Sequence, residues 1–310
     1  MSSTAKAAAL IAASATLLAL TACSSSDADT ATTGGSTGTG ASTLQVVAST
    51  NVYGDIAAQI GGDLVEVTSI LSDPSADPHS YEASAQTQLA LSEADLVIEN
   101  GGGYDDFVDT MLSALDNAPE LINAVDISGK TAADGEELNE HVWYDFPTVS
   151  TLADTIADAL AGLDAGNAAT YEANAADFKE QVATLESATT ELDSEFAGTG
   201  VAITEPVPGY LLDAAGLVNK TPEEFAEAIE EETDVPPTAL QETLDLFSSH
   251  AVKALVYNEQ TTGPETEQVL QAAQDAGVAV VPVTETLPAG EGYVSWMTSN
   301  VDALRTALES

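Results

Sequence analysis

AATYEANAADFKEQVATLESATTELDSE (residues 168–195) holds neither proline nor glycine. Tyr171, Phe178, Val182, Leu185 and Leu192 recur along it at helical spacing, the pattern of a helix with one buried stripe. A helix of nearly 30 residues measures about 40 Å, so this stretch predicts a long strut, and its flanks decide what it joins. Upstream, the strand-like runs Leu44–Ala48, Val65–Leu71, Asp95–Glu99 and Leu121–Ile127 alternate with the helix-like runs Val52–Ile60, Ala83–Ser92 and Tyr104–Leu115. Gly61 and Gly62 stop the first of these helices. Downstream the rhythm returns, with strand-like Val201–Thr204, Ala254–Tyr257 and Val278–Val283 and helical runs that include Ala239–Phe247 and Glu265–Ala276. Repeated β-then-α order implies a parallel sheet covered by helices. The expected fold class is therefore α/β: two lobes, each with a mostly parallel sheet flanked by helices, joined by one long rigid helix. The boundaries fall at 44–166 for the N-terminal lobe, 167–197 for the connecting helix and 198–310 for the C-terminal lobe.

Ahead of the folded part the chain changes character. Lys6 precedes an apolar run from Ala7 to Leu20, which is long enough for the core of a signal peptide and short for a membrane span. It ends in Leu20-Thr21-Ala22-Cys23, which resembles the lipobox of bacterial lipoproteins, where cleavage precedes the cysteine and its thiol is lipidated. Cys23 is the only cysteine, so no internal disulfide forms. Residues 1–23 are thus expected to be a lipoprotein signal peptide. Residues 24–43, almost all Ser, Thr, Gly, Ala and Asp, form a flexible tether with a root-mean-square span of roughly 25 Å. Such a protein sits outside the cytoplasm, held to the outer face of the cell membrane by its lipid.

The chain carries 51 Asp and Glu against 6 Lys and Arg, a net charge of −45. Beyond Cys23 its only such cations are Lys130, Lys179, Lys220, Lys253 and Arg305. This balance excludes nucleic acid and anionic lipid surfaces as partners. It suits a protein that draws cations from solution, but such surfaces mostly reflect solubility or a salty habitat.

Two of the three histidines stand in unusual company. His79 lies in the stiff loop Ser72-Asp73-Pro74-Ser75-Ala76-Asp77-Pro78-His79-Ser80-Tyr81-Glu82, after a strand-like run. His141 lies in Asn139-Glu140-His141-Val142-Trp143-Tyr144-Asp145-Phe146, ahead of a helical segment. Both are positions where α/β folds build sites, and imidazole is the commonest metal ligand among side chains. His250, in Ser248-Ser249-His250-Ala251, has no such context and reads as a surface or capping residue. Glu205 and Glu285 each follow a buried strand-like run and precede a proline-containing turn, which aims a carboxylate at the crevice where α/β proteins hold ligands. Taken singly, each of these four residues reads as an ordinary loop residue. Together they make a mixed nitrogen and oxygen donor set drawn from both lobes.

With these segments in place, nearly all of Thr43–Ser310 resembles the metal-binding substrate-binding proteins of bacterial zinc and manganese ABC transporters. Asp77-Pro78-His79-Ser80-Tyr81-Glu82 is similar to the family's Asp-Pro-His-Glu-Tyr loop. Asn139 to Phe146 is similar to its Asn-Pro-His-Val-Trp-Leu-Asp-Pro segment. Thr204-Glu205 and Thr284-Glu285 resemble the motifs that carry its third and fourth ligands. The resemblance implies a metal site formed by His79, His141, Glu205 and Glu285. Glu140 and Phe146 depart from the pattern, standing where two prolines are usual. The fourth ligand is commonly aspartate, and Gly129–Glu140 lacks the histidine-rich loop of many zinc members.

The resemblance also implies a function: capture of Mn2+ or Zn2+ between the lobes and delivery to a membrane permease that works with a cytoplasmic ATPase. The long helix would limit closure to a modest tilt. The ion is cargo, no organic cofactor is expected, and a monomer is expected. Carboxylate donors favour manganese, whereas the usual divalent series favours zinc, and iron(II) stays open. Two other readings of the same residues are a surface adhesin and a metal-dependent hydrolase. The chain lacks His-Glu-x-x-His, and four protein ligands fill a tetrahedral site, so no enzyme is expected.

Overall fold

The computed structural model describes residues 43–73, 81, 84–132 and 138–310. Its chain order opens with β1 (Leu44–Thr50), α1 (Asn51–Gly61), β2 (Val65–Leu71), α2 (Ala85–Glu93), β3 (Leu96–Glu99), α3 (Phe107–Leu112), β4 (Glu120–Asn123), α4 (Ala124–Ser128) and α5 (Phe146–Leu163). The long α6 (Ala168–Phe196) follows. Beyond it come β5 (Gly200–Ile203), α7 (Gly209–Ala214), β6 (Val218–Asn219), α8 (Glu223–Glu230), α9 (Pro237–Ser248), β7 (Ala254–Asn258), α10 (Pro264–Ala276), β8 (Ala279–Val283) and α11 (Tyr293–Glu309). The molecule is two α/β lobes, each a parallel sheet flanked by helices, joined by a long helix.

The two sheets share one plan. The first runs β2-β1-β3-β4 and the second β6-β5-β7-β8, all pairs parallel. Val46 of β1 sits opposite Val67 on one side and Leu96 on the other. Central strands β3 and β7 are buried at every residue, as expected of strands covered on both faces. Edge strand β2 alternates between half-buried and exposed residues over its first half. In each sheet the winding reverses between the first strand and its second neighbour, between β1 and β3 and again between β5 and β7. The crevice at the C-terminal ends of such strands is where open α/β sheets bind ligands.

Local chemistry explains where the elements depart from expectation. The strand expected over Leu121–Ile127 stops at Asn123, whose side chain accepts the Asp126 N–H and so starts α4. Gly129, at φ 65°, closes that turn of helix. The helix expected over Tyr104–Leu115 is shorter, with only Phe107–Leu112 helical after a turn whose Gly101, Gly102 and Gly103 take positive φ. The Asp105 carboxylate accepts the N–H groups of Asn100 and Gly101 and closes this turn. His250 is exposed in the left-handed region at φ 52°, just past the end of α9.

The α6 stripe of Tyr171, Phe178, Val182, Leu185 and Leu192 is buried, packed against α1, α5, α7 and α11. One apolar core runs through both lobes, including Val46, Ile98 and Trp143 on one side and Val201, Val256 and Trp296 on the other. Polar contacts reinforce it. Asn51 Nδ2 donates to the Leu287 carbonyl (3.1 Å) while its Oδ1 accepts the Leu287 N–H (2.9 Å). Tyr144 donates to the Thr284 carbonyl and Tyr293 to that of Trp143.

Candidate metal centre

The N-terminal lobe contributes the segment 139–144. Asp145 caps α5 by accepting the Thr148 N–H. The buried turn Val142–Tyr144 packs Trp143 beneath it, with its ring 5.0 Å from that of His141. Asn100, at the β1/β3 crossover, donates to the Glu140 carbonyl (3.0 Å). His141 is fully buried, and its Nδ1 lies 2.8 Å from Asn139 Oδ1, which also accepts the His141 backbone N–H. With Nδ1–H donating to that oxygen, Nε2 is the ring atom left to face the site. Asn139 is itself tied to the other lobe: its Nδ2 donates to the Pro206 carbonyl, and its own carbonyl accepts from Tyr210 (2.6 Å).

The C-terminal lobe supplies the acids from its own crossover. Glu205 and Glu285 follow β5 and β8 and are 2% and 1% exposed. Asn258, which ends β7, donates to Glu285 Oε1 (2.8 Å). The side chains of Thr261 and Asn258 also hydrogen-bond Glu205. Tyr104 reaches across from the N-terminal lobe to hydrogen-bond Glu285. Glu230, the last residue of α8, places Oε1 3.3 Å from His141 Nε2. One donor atom each of Glu140, His141 and Glu230 lies within 4.8 Å of the others.

The electrostatics tie these groups into one cluster. Burial alone would lower the His141 pKa, but the carboxylates of Glu230, Glu140 and Glu285 outweigh it and hold it up at about 9. Burial first, then Glu230 and Glu285, raise Glu205 to about 8. His141 and Glu205 are both buried, and Nε2 of His141 faces Glu230. Salt bridges engage three cations elsewhere: Lys130 with Asp145, Lys179 with Asp154, and Arg305 with Glu191 and Glu195. Repelling buried carboxylates beside an imidazole with a ligating nitrogen suit a divalent cation.

Of the residues expected from sequence, His141, Glu205 and Glu285 are all buried, and the Glu285 carboxylate acts electrostatically on both His141 and Glu205. His79 and Cys23 lie outside the described residues. Glu230 was not foreseen, because an acidic run ending a surface helix looks like a solvated face. Its signal was its place: a carboxylate at a helix C-terminus opposes the helix dipole. Asn139 and Asn258, which hydrogen-bond His141 and Glu285, were likewise legible only as parts of longer segments.

The profile of the family described as zinc-uptake complex component A, periplasmic, matches residues 46–307. The chain belongs to this family. It is 24% identical over 243 residues to the manganese-binding lipoprotein MntA of Bacillus subtilis, covering 76% of this chain and 78% of that one. It is also 24% identical over 312 residues to the manganese ABC transporter substrate-binding lipoprotein PsaA of Streptococcus anginosus, covering 94% and 95%. The fold matches that of the periplasmic zinc-binding protein TroA of Treponema pallidum with a TM-score of 0.74 at 20% identity, over 86% of this chain and 99% of that structure.

Proposed function

We propose that this protein is the extracytoplasmic binding component of an ABC uptake system. It captures one Mn2+ or Zn2+ ion between its lobes and hands it to a membrane permease energised by a cytoplasmic ATPase. The observation that supports this reading is the electrostatic coupling of buried His141, from one lobe, to Glu285, and of Glu285 to buried Glu205, from the other. The proposed ligands are His79, His141, Glu205 and Glu285, with Cys23 bearing the lipid that keeps the protein beside its permease. Among the described residues no helix is long and apolar enough to cross a membrane, which accords with anchoring by lipid.

The ion would relieve the repulsion among the carboxylates and draw the lobes together. Because the core is continuous between the lobes, the motion on loading and release is a small tilt. The carboxylate-rich donor set supports manganese over zinc on ligand hardness. The protein acts as a carrier, with its ligands spent on holding the ion rather than on leaving a position for substrate.

Metal content by mass spectrometry, with Mn2+ and Zn2+ in competition, tests this. About one ion per chain in the wild type and none in the double variant His79→Ala, His141→Ala is the expected result. No ion above background, or an unchanged stoichiometry in the variant, would refute the assignment.

A further inference from the structure

We infer that Glu230 is a direct ligand of the captured ion, a fifth protein ligand that adds a third carboxylate to the site. This rests on the proposed function and deepens it. The separation of 3.3 Å between Glu230 Oε1 and His141 Nε2 is long for a charge-assisted hydrogen bond, which closes to about 2.7–2.9 Å. It matches two donors sharing one ion: at bond lengths of about 2.1 Å, neighbouring ligand atoms stand about 3.0–3.4 Å apart. His141 is fully buried, and this carboxylate is the group paired with its Nε2. The Glu230 side chain is only 10% exposed.

The chain holds Glu230 there against local preference. The last turn of α8 contains no basic residue, so the carboxylate faces the negative end of the helix dipole with no cation of its own element. Two residues on, Glu232 sits at φ 53°, a left-handed conformation that disfavours a side chain. Thr233 N–H bonds back to the Ala228 carbonyl (2.9 Å) and Glu232 N–H to that of Ile229 (3.1 Å), which locks the helix end. On its far side Glu230 lines a cavity of about 400 Å³ together with Asn139, Glu140, Glu223, Glu227 and Glu231. That acidic chamber concentrates cations beside the ligand that first meets them. Glu230 adds a third carboxylate to those of Glu205 and Glu285, and such an oxygen-rich set suits manganese better than zinc.

The test is titration calorimetry of the purified protein with Mn2+, and separately the visible absorption of the Co2+-loaded form, which reports coordination number. Glu230→Gln keeps the shape, Glu230→Ala removes the group, and Glu224→Gln makes the same charge change on the exposed face of α8. The expected result is an Mn2+ affinity lowered by at least about tenfold in both Glu230 variants, unchanged in Glu224→Gln, with a stronger and shifted cobalt band. Affinities within twofold of wild type would overturn the inference. So would a lower affinity with an unchanged cobalt band, which would place Glu230 outside the coordination shell. A wild type that binds no ion at all overturns the proposed function as well, whereas a metal-binding wild type with indifferent Glu230 variants overturns this inference alone.

Discussion

Glu99 ends β3 with its carboxylate 2% exposed and accepting from Asn123 Nδ2 (2.8 Å). Burial raises its pKa to about 7, against the lowering effect of Asn123 and with help from Asp105, Asp109 and Asp126. The folded protein therefore holds a proton here that the unfolded chain, at 4.5, releases. The stabilising effect is full below pH 4.5 and is lost as pH rises through about 7. Glu99→Gln keeps the acceptor for Asn123 without the charge. Its melting temperature should exceed that of the wild type above pH 7, and the gap should narrow toward pH 5. Parallel melting curves across that range would show that the carboxylate does not titrate there.

At the scale of elements, the end of α8 is the place where local preference and position disagree. A glycine is the usual residue at the left-handed position after a helix, and this chain has Glu232 there. Glu232→Gly should raise unfolding free energy by about 1 kcal/mol, measured by urea denaturation, because the closing hydrogen bonds are backbone ones and survive the change. A neutral or destabilising effect would show that the Glu232 side chain is itself needed. Helix α6 presents the opposite case, since its apolar stripe, its freedom from proline and glycine, and its buried face all agree. That agreement made it the most legible element of the chain. Helix α4 was not legible, because Leu121–Ile127 is apolar enough for a strand and only the Asn123 cap divides it.

For the whole molecule, the question is how far the lobes can part. Asn51 makes two hydrogen bonds to Leu287 across the lobes, close to the site and apart from the proposed ligands. Asn51→Ala should cost about 2 kcal/mol, seen as a lower urea midpoint, and, on the proposed capture between lobes, should weaken Mn2+ binding. An unchanged midpoint would show that the Asn51 hydrogen bonds add nothing to the apolar core and the other polar contacts between the lobes.

The sequence by itself determined the alternation of strands and helices, the two-lobe plan with its long strut, and the places of His141, Glu205 and Glu285, which the fold buries. Each of these rests on local regularities: periodicity, chain-breaking residues, and polar residues at strand ends. Only the tertiary structure decided that the two sheet crossovers face each other, that Asn139 orients His141 while bonded to the opposite lobe, and that Glu230 stands against the imidazole. Those facts depend on contacts between residues far apart in the chain, such as His141 and Glu230. No pattern within a helix or a strand records them, because burial between packed lobes, rather than local propensity, sets where such a side chain ends.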